Sequence, residues 1–237
     1  MIPLTWHFGR VVVPVSGLIA AAGVVSALFL ARATAKRLDV DPDKVWNLGV
    51  IGIVCVWIGS RLLLILLNWT DFRAHPLWML GLISVRSRPA LLGGAALAIA
   101  GGLAYARYAR LPFRRTLDAL AVPFALASTA FSVAALLHRP PGESERIVDC
   151  MVSTLVLLVI GGLLVARAAG TGRFRDGEIM GAWLFLAGVS GSLIDALWTQ
   201  PSAAPFNFVR QGIAMLMVLA GGALWFVAPK HDAGPFQ

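Results

Sequence analysis

From Trp46 to Asn68 the chain reads WNLGVIGIVCVWIGSRLLLILLN. A helix rises about 1.5 Å per residue, and roughly 20 residues cross the hydrocarbon of a bilayer. The stretch is long enough for that, and Arg61 is its one full charge. It therefore predicts a membrane-spanning helix. A cation on such a helix costs roughly 2.5–3.5 kcal/mol on insertion scales and normally faces a polar interior. Arg61 also lies close enough to the end at Asn68 for its stem to snorkel to the headgroups. The sequence leaves both arrangements open.

The remaining chain repeats the pattern. Seven apolar runs cover roughly residues 11–31, 46–67, 89–106, 116–137, 151–169, 179–197 and 208–227. Of the 237 residues 58% are hydrophobic and 14% charged, whereas soluble domains carry about 25% charged residues. We expect an all-α integral membrane protein, with about seven transmembrane helices in one bundle and a single polytopic domain over residues 1–237. The first run reads as a span and not as a cleaved leader, because it is long and has one Arg before it. The formal charge of +8 sits in short connections, where it orients the chain and attracts anionic lipid. No nucleic-acid partner is expected. Cys55 and Cys150 lie in or beside apolar runs, and His7, His75, His138 and His231 are scattered. That spacing predicts neither a metal site nor a cofactor.

Loop charge sets the orientation. The connections after runs one, three and five, with the C-terminal Lys230, hold twelve Lys and Arg residues, against seven on the opposite side. The richer side should be cytoplasmic, so the N-terminus is outside and the C-terminus inside. Asp41-Pro42-Asp43 has the form of a helix cap followed by proline at the first helical position. Thr116 is placed to cap the fourth run, with Asp118 in its first turn. Gly94, Ala98 and Gly102 recur at a spacing that lets helix backbones approach, within a chain rich in such residues throughout. Residues 69–89 form an outer interfacial segment mixing Asp71, Arg73 and His75 with Phe72 and Trp78, either as an anchor or as a small cap. Arg139–Arg146, with Pro140, Pro141, Glu143 and Glu145, reads as a polar outer loop. Trp183, Trp198 and Trp225 have the placement of interfacial rings.

These residues bring a family into view. LARATAKRLDVDPDKVWNLGVIGIVCVWIGSRLLLILLNW resembles the first inner loop and second helix of the bacterial prolipoprotein diacylglyceryl transferases. Gly59, Arg61 and Asn68 occupy similar places to that family's Gly, Arg and terminal Asn. DFRAHPLWML is similar to the segment after that Asn. Gly93-Gly94 stands where the family has a glycine pair, and Asp118 with Pro123-Phe124 is similar to its Asp and Pro-Phe. The resemblance implies transfer of a diacylglyceryl group from phosphatidylglycerol to the lipobox cysteine of a prolipoprotein. It also implies a bacterial cytoplasmic (inner) membrane location, with the reaction at the outer leaflet. Such a reaction needs a base for the thiol and cations for the phosphate of the leaving group.

The sequence departs from the family at its signature, Gly-Arg-x-Gly-Asn-Phe-x-Asn-x-Glu. Counted from Asp118, Ser132 takes the Arg place, Ala135 the first Asn and Pro140 the Glu. Counted from Pro123-Phe124, the same places hold Ala130, Val133 and His138. Leu92 replaces the His or Tyr before the glycine pair. The Arg-x-x-x-Glu pair of the sixth span falls at Ser192 and Ala196, with Asp195 one residue away. The remaining candidates for catalysis are Asp118, Glu143 and Asp195. Those for the lipid headgroup are Arg61, Asn68, Arg139 and Arg146. Three readings follow. The chain is a transferase with a rearranged site, or a silent relative that binds phospholipid or a lipoprotein, or an unrelated transporter component.

Overall fold

A computed structural model describes residues 5–8, 11–74, 88–137, 144–170, 174–198 and 204–226. Two strands come first, β1 (Thr5–Phe8) and β2 (Val11–Pro14). Eight helices follow: α1 (Val15–Arg37), α2 (Pro42–Leu67), α3 (Trp69–Ala74), α4 (Arg88–Tyr108), α5 (Phe113–Leu136), α6 (Ser144–Ala168), α7 (Glu178–Trp198) and α8 (Ala204–Phe226). All but the short α3 have 21 to 26 residues, one for each apolar run. Among the described residues, four stretches, in α1, α2, α5 and α6, are long and apolar enough to cross a membrane.

The sequence reading needs two corrections. The first run was expected to be helical from Val11, but Val11–Pro14 pairs antiparallel with Thr5–Phe8. Three successive valines favour extended backbone, and α1 begins only behind Pro14. The fourth run was expected to start at Thr116. Pro112 instead holds Leu111 out of the helical region, and α5 begins directly behind it, at Phe113. Thr116 and Asp118 therefore lie inside the helix and are buried. The start of α2 is as expected, with the Asp41 carboxylate accepting from the Asp43 and Lys44 amides at 3.0 and 3.3 Å.

The described residues group into two compact units. One is Asp41–Pro112 and contains α2, α3 and α4. Here α2 and α4 run antiparallel with their backbones in direct contact. A Cβ placed on Gly94 would lie 2.8 Å from the Val56 carbonyl oxygen, and one on Gly93 would lie 2.7 Å from that of Gly59. Gly101 faces the Cys55 Sγ in the same way, at 2.6 Å. The glycine pair, Gly59 and Cys55 thus share one packed face.

The other unit holds the strands, α1 and α5–α8. Within it α1 packs along α5, and Ala27, Ala31 and Ala35 on α1 and Ala119 and Ala121 on α5 are buried. Gly23 meets Ala130 along the same seam. Pro123 sits inside α5 and has no N–H to offer the carbonyl four residues before it. That carbonyl belongs to Ala119, and the buried Thr34 hydroxyl on α1 donates to it at 2.6 Å. Beyond it, α5 meets α6 through hydroxyls. Thr129 donates to the Ser153 carbonyl at 3.0 Å, and the Ser132 and Ser153 hydroxyls lie 3.1 Å apart. The antiparallel α7 and α8 close on glycines, with Gly181 against Gly221 and Gly188 against Ala214.

Thr34→Val should destabilise the protein by about 1 kcal/mol, typical of one interhelical hydrogen bond in a membrane. In a Pro123→Ala background the effect should fall toward zero, because Ala119 regains its helical donor. A double-mutant cycle on unfolding in detergent measures the difference. An equal loss in both backgrounds would show that Thr34 does not serve that carbonyl.

Candidate functional site

Asp118 is the one carboxylate among the fully buried described residues. Its Oδ1 accepts from the Met180 amide at 3.0 Å. Its Oδ2 accepts from the Gly177 amide at 2.7 Å and from the Arg167 guanidinium. Gly177 precedes α7, and its carbonyl accepts the first helical bond, from the Gly181 amide at 2.9 Å. The orphan N–H groups at a helix start need an acceptor, usually the side chain of the preceding residue. Gly177 has none, and its φ of +99° suits glycine alone. Asp118 reaches across from α5 and fills the role, with its negative charge at the positive end of the α7 dipole.

Arg167, near the end of α6, carries the counter-charge. One terminal nitrogen bonds Asp118 and the Arg175 carbonyl, the latter at 3.3 Å. The other bonds Asp176 at 2.6 Å. Asp176 also accepts from the Arg115 Nε at 2.9 Å. Asp118, Arg167, Asp176 and Arg115 thus form a chain of alternating charge tying α5, α6 and the start of α7 together. Burial pushes the Asp176 carboxyl upward, but the hydrogen bonds and charges of Arg115 and Arg167 outweigh it and leave the group below its ordinary range. Close by, Phe124 stacks on Trp183 with ring centroids 5.4 Å apart.

A general base must direct a lone pair at a substrate proton. Both Asp118 oxygens are already occupied by backbone donors and a guanidinium, which is the geometry of a helix cap and a charge clamp. In the sequence Arg167 is one of the twelve basic residues that set the orientation, and Asp176 carries no local signal of its own. The available signal was Asp118 itself, since an acid inside a spanning run requires a partner.

The other candidates lie elsewhere. Arg61 is half-buried on α2, about 200° around the helix from Gly59 and so away from the α4 contact. Asn68 ends α2, and its side-chain amide donates to the Leu64 carbonyl at 3.0 Å. Arg139 and Glu143 fall outside the described residues, as does Trp78 of the outer segment. Arg146 is in the first turn of α6 and Asp195 in the last turn of α7, with side chains outside the description. Ser132, which falls at the signature Arg place when counted from Asp118, is paired with the Ser153 hydroxyl. Among the described residues no group of His, Cys, Asp or Glu is arranged to hold a metal.

Because the folded Asp176 carboxyl titrates below its unfolded value, its contribution is complete above about pH 4. It is lost as pH falls through the depressed folded value. Asp176→Asn should lower stability by about 1 kcal/mol at neutral pH, a modest figure because Arg115 is 40% exposed. Unfolding midpoints of the two proteins in detergent should converge as pH drops below about 4. A gap that stays constant with pH would remove the carboxylate as its source.

The family model for prolipoprotein diacylglyceryl transferase matches residues 3–138, more than half of the chain. A phosphatidylglycerol–prolipoprotein diacylglyceryl transferase of Trichormus variabilis is 26% identical over 124 residues, covering 50% of this chain and 42% of that protein. Its counterpart from Chloroflexus aggregans is 30% identical over 115 residues, covering 48% and 36%. One from Pediococcus pentosaceus is 30% identical over 73 residues, covering 31% and 26%. The matched stretch thus spans less than half the length of these relatives. With all of α1–α5 inside the matched region, the chain belongs to the prolipoprotein diacylglyceryl transferase family.

Proposed function

We propose that the protein binds phosphatidylglycerol in a bacterial cytoplasmic membrane without transferring its diacylglyceryl group. The topology is seven spans, N-terminus out and C-terminus in. The relatives' names supply the lipid. The observation that carries the absence of transfer is the engagement of Asp118. This acid resembles the family's own, yet both oxygens serve α7 and Arg167. In the register counted from Asp118, Ser132 adds to this, since a hydroxyl pair stands where the family has an anion-binding Arg. Arg61 and Asn68 hold the headgroup from α2. A prolipoprotein is the protein partner, bound without being modified.

The family match favours a second reading, in which transfer persists with substitute residues. Transfer requires a thiolate sulfur to attack the glycerol carbon that bears the phosphate. The C–O bond breaks, and glycerol phosphate leaves with the electron pair. The thiol proton goes to a base, and cations stabilise the departing phosphate. Glu143 would be the base, with Arg139 and Arg146 at the phosphate. Asp195 would be a further acid near the same end of the unit.

One experiment separates the readings. Purified protein in vesicles of phosphatidylglycerol with a labelled acyl chain is mixed with a lipobox peptide, and the peptide thiol is analysed by mass. The first reading expects retained phosphatidylglycerol and no adduct. A diacylglyceryl adduct absent from the protein-free control would overturn it, and Glu143→Gln should then abolish the product. In either case Arg61→Leu should reduce retention of phosphatidylglycerol over phosphatidylcholine about fivefold, near 1 kcal/mol for one cation at a headgroup. Unchanged retention by the folded variant would remove Arg61 from the lipid site.

A further inference from the structure

Lipid tails are as apolar as leucine, so apolar surface gives helices in a bilayer little reason to associate. Close backbone packing and polar bonds decide which helices stay together. By that measure α7 and α8 are a pair. Gly181 and Gly221 face each other, and a Cβ on Gly221 would lie 2.6 Å from the Gly181 carbonyl oxygen. Gly188 approaches Ala214 and Val218 just as closely. Among the described elements α8 packs extensively only against α7.

The polar hold of α7 on the rest of its unit is concentrated at one end. The Gly177 and Met180 amides enter the Asp118 carboxylate. Asp176, one residue earlier, bonds Arg167 and Arg115. The receiving groups belong to α5 and α6, and Asp118 and Arg167 bond each other directly. We propose that α7 and α8 dock as one hairpin onto the α1–α5–α6 bundle, and that the Asp118–Arg167 pair is the latch that receives the start of α7.

The latch has the selectivity such a step needs. Orphan N–H groups at a helix start are costly in apolar surroundings, so an undocked α7 gains where a buried acceptor waits. The acceptor pair is already assembled from two other helices, and Asp118 is held by its counterion. A docking helix must also present an acid just ahead of its first turn to meet the second Arg167 nitrogen. Asp176 is that acid, and Gly177 makes the turn that brings both groups in. A helix lacking either would leave Arg167 half-satisfied.

The test keeps the full chain and cuts it after folding. A site for a sequence-specific protease is inserted between Ala169 and Gly170, both exposed, with an affinity tag at the C-terminus. After cleavage in mild detergent, the N-terminal fragment of the otherwise wild-type protein should remain with the tagged α7–α8 fragment. With Asp118→Asn, co-elution should fall at least fivefold. Ser132→Ala, which breaks only the hydroxyl pair between α5 and α6, should leave it unchanged. If Asp118→Asn does not accumulate, Asp176→Asn decides, with an expected two- to fivefold loss. Separation of the wild-type fragments, or co-elution in the deciding variant equal to wild type, would overturn the latch.

Discussion

Hydrocarbon offers no water to a backbone N–H or C=O, so every such group in a spanning segment must find its partner within the protein. That constraint accounts for the polar contacts of the larger unit. Pro123 removes one donor from α5, and Thr34 on α1 supplies another. The start of α7 has no capping side chain of its own, and Asp118 on α5 provides one. Each defect in one helix is met by a residue of a neighbour. The repairs thereby select which helices are neighbours, which apolar packing in lipid does only weakly.

Charge follows from the same constraint. An ionised carboxylate cannot be buried unpaired, and removing one partner of a buried pair typically costs 3–5 kcal/mol. Asp118 is therefore inseparable from Arg167, and Arg167 passes the neutralisation on to Asp176 and Arg115. The alternating chain runs from a fully buried acid to a cation that is 40% exposed. Solvent screening increases along it, so removing one partner of its inner link costs more than removing one partner of its outer link.

Much of this fold was legible in the sequence. The length of the apolar runs located all seven long helices, and Asp41-Pro42 marked the start of α2 because an N-cap is a local device. The spacing of Gly94, Ala98 and Gly102 forecasts a close approach; Gly94 makes one against Val56, Gly102 makes only ordinary contact with Leu48, and Gly59 and Gly93 supply the rest. What the sequence hid was non-local. Nothing near Asp118 says that its partners lie 49 to 62 residues later, and nothing near Thr34 points to a carbonyl 85 residues away. Local signals also misled where two rules competed. Thr116 has the form of a cap, yet Pro112 fixes the helix start earlier. The valines before Pro14 were read as the head of a span, although their branched side chains prefer a strand. Of the candidate site, Arg61 and Asn68 can be placed on α2, while Arg139 and Glu143 lie outside the described residues.

Asp118 changes how the family resemblance is to be read. It lies within the stretch that matches the family, residues 3–138. The groups it holds, Arg167, Gly177 and Met180, all lie beyond that stretch. An acid at this place is thus fully accounted for by what it does for α7, and its presence does not argue for proton transfer. On the proposed N-out topology, chemistry at the outer leaflet would have to come from the opposite end of this unit, where α5 and α7 finish and α6 begins. Arg146 and Asp195 stand there, and Arg139 and Glu143 lie in the connection between α5 and α6. On the proposed readings, catalysis and helix docking would draw on different residues. A chain of this family would then be able to lose the first while the second still held α7 and α8 in place.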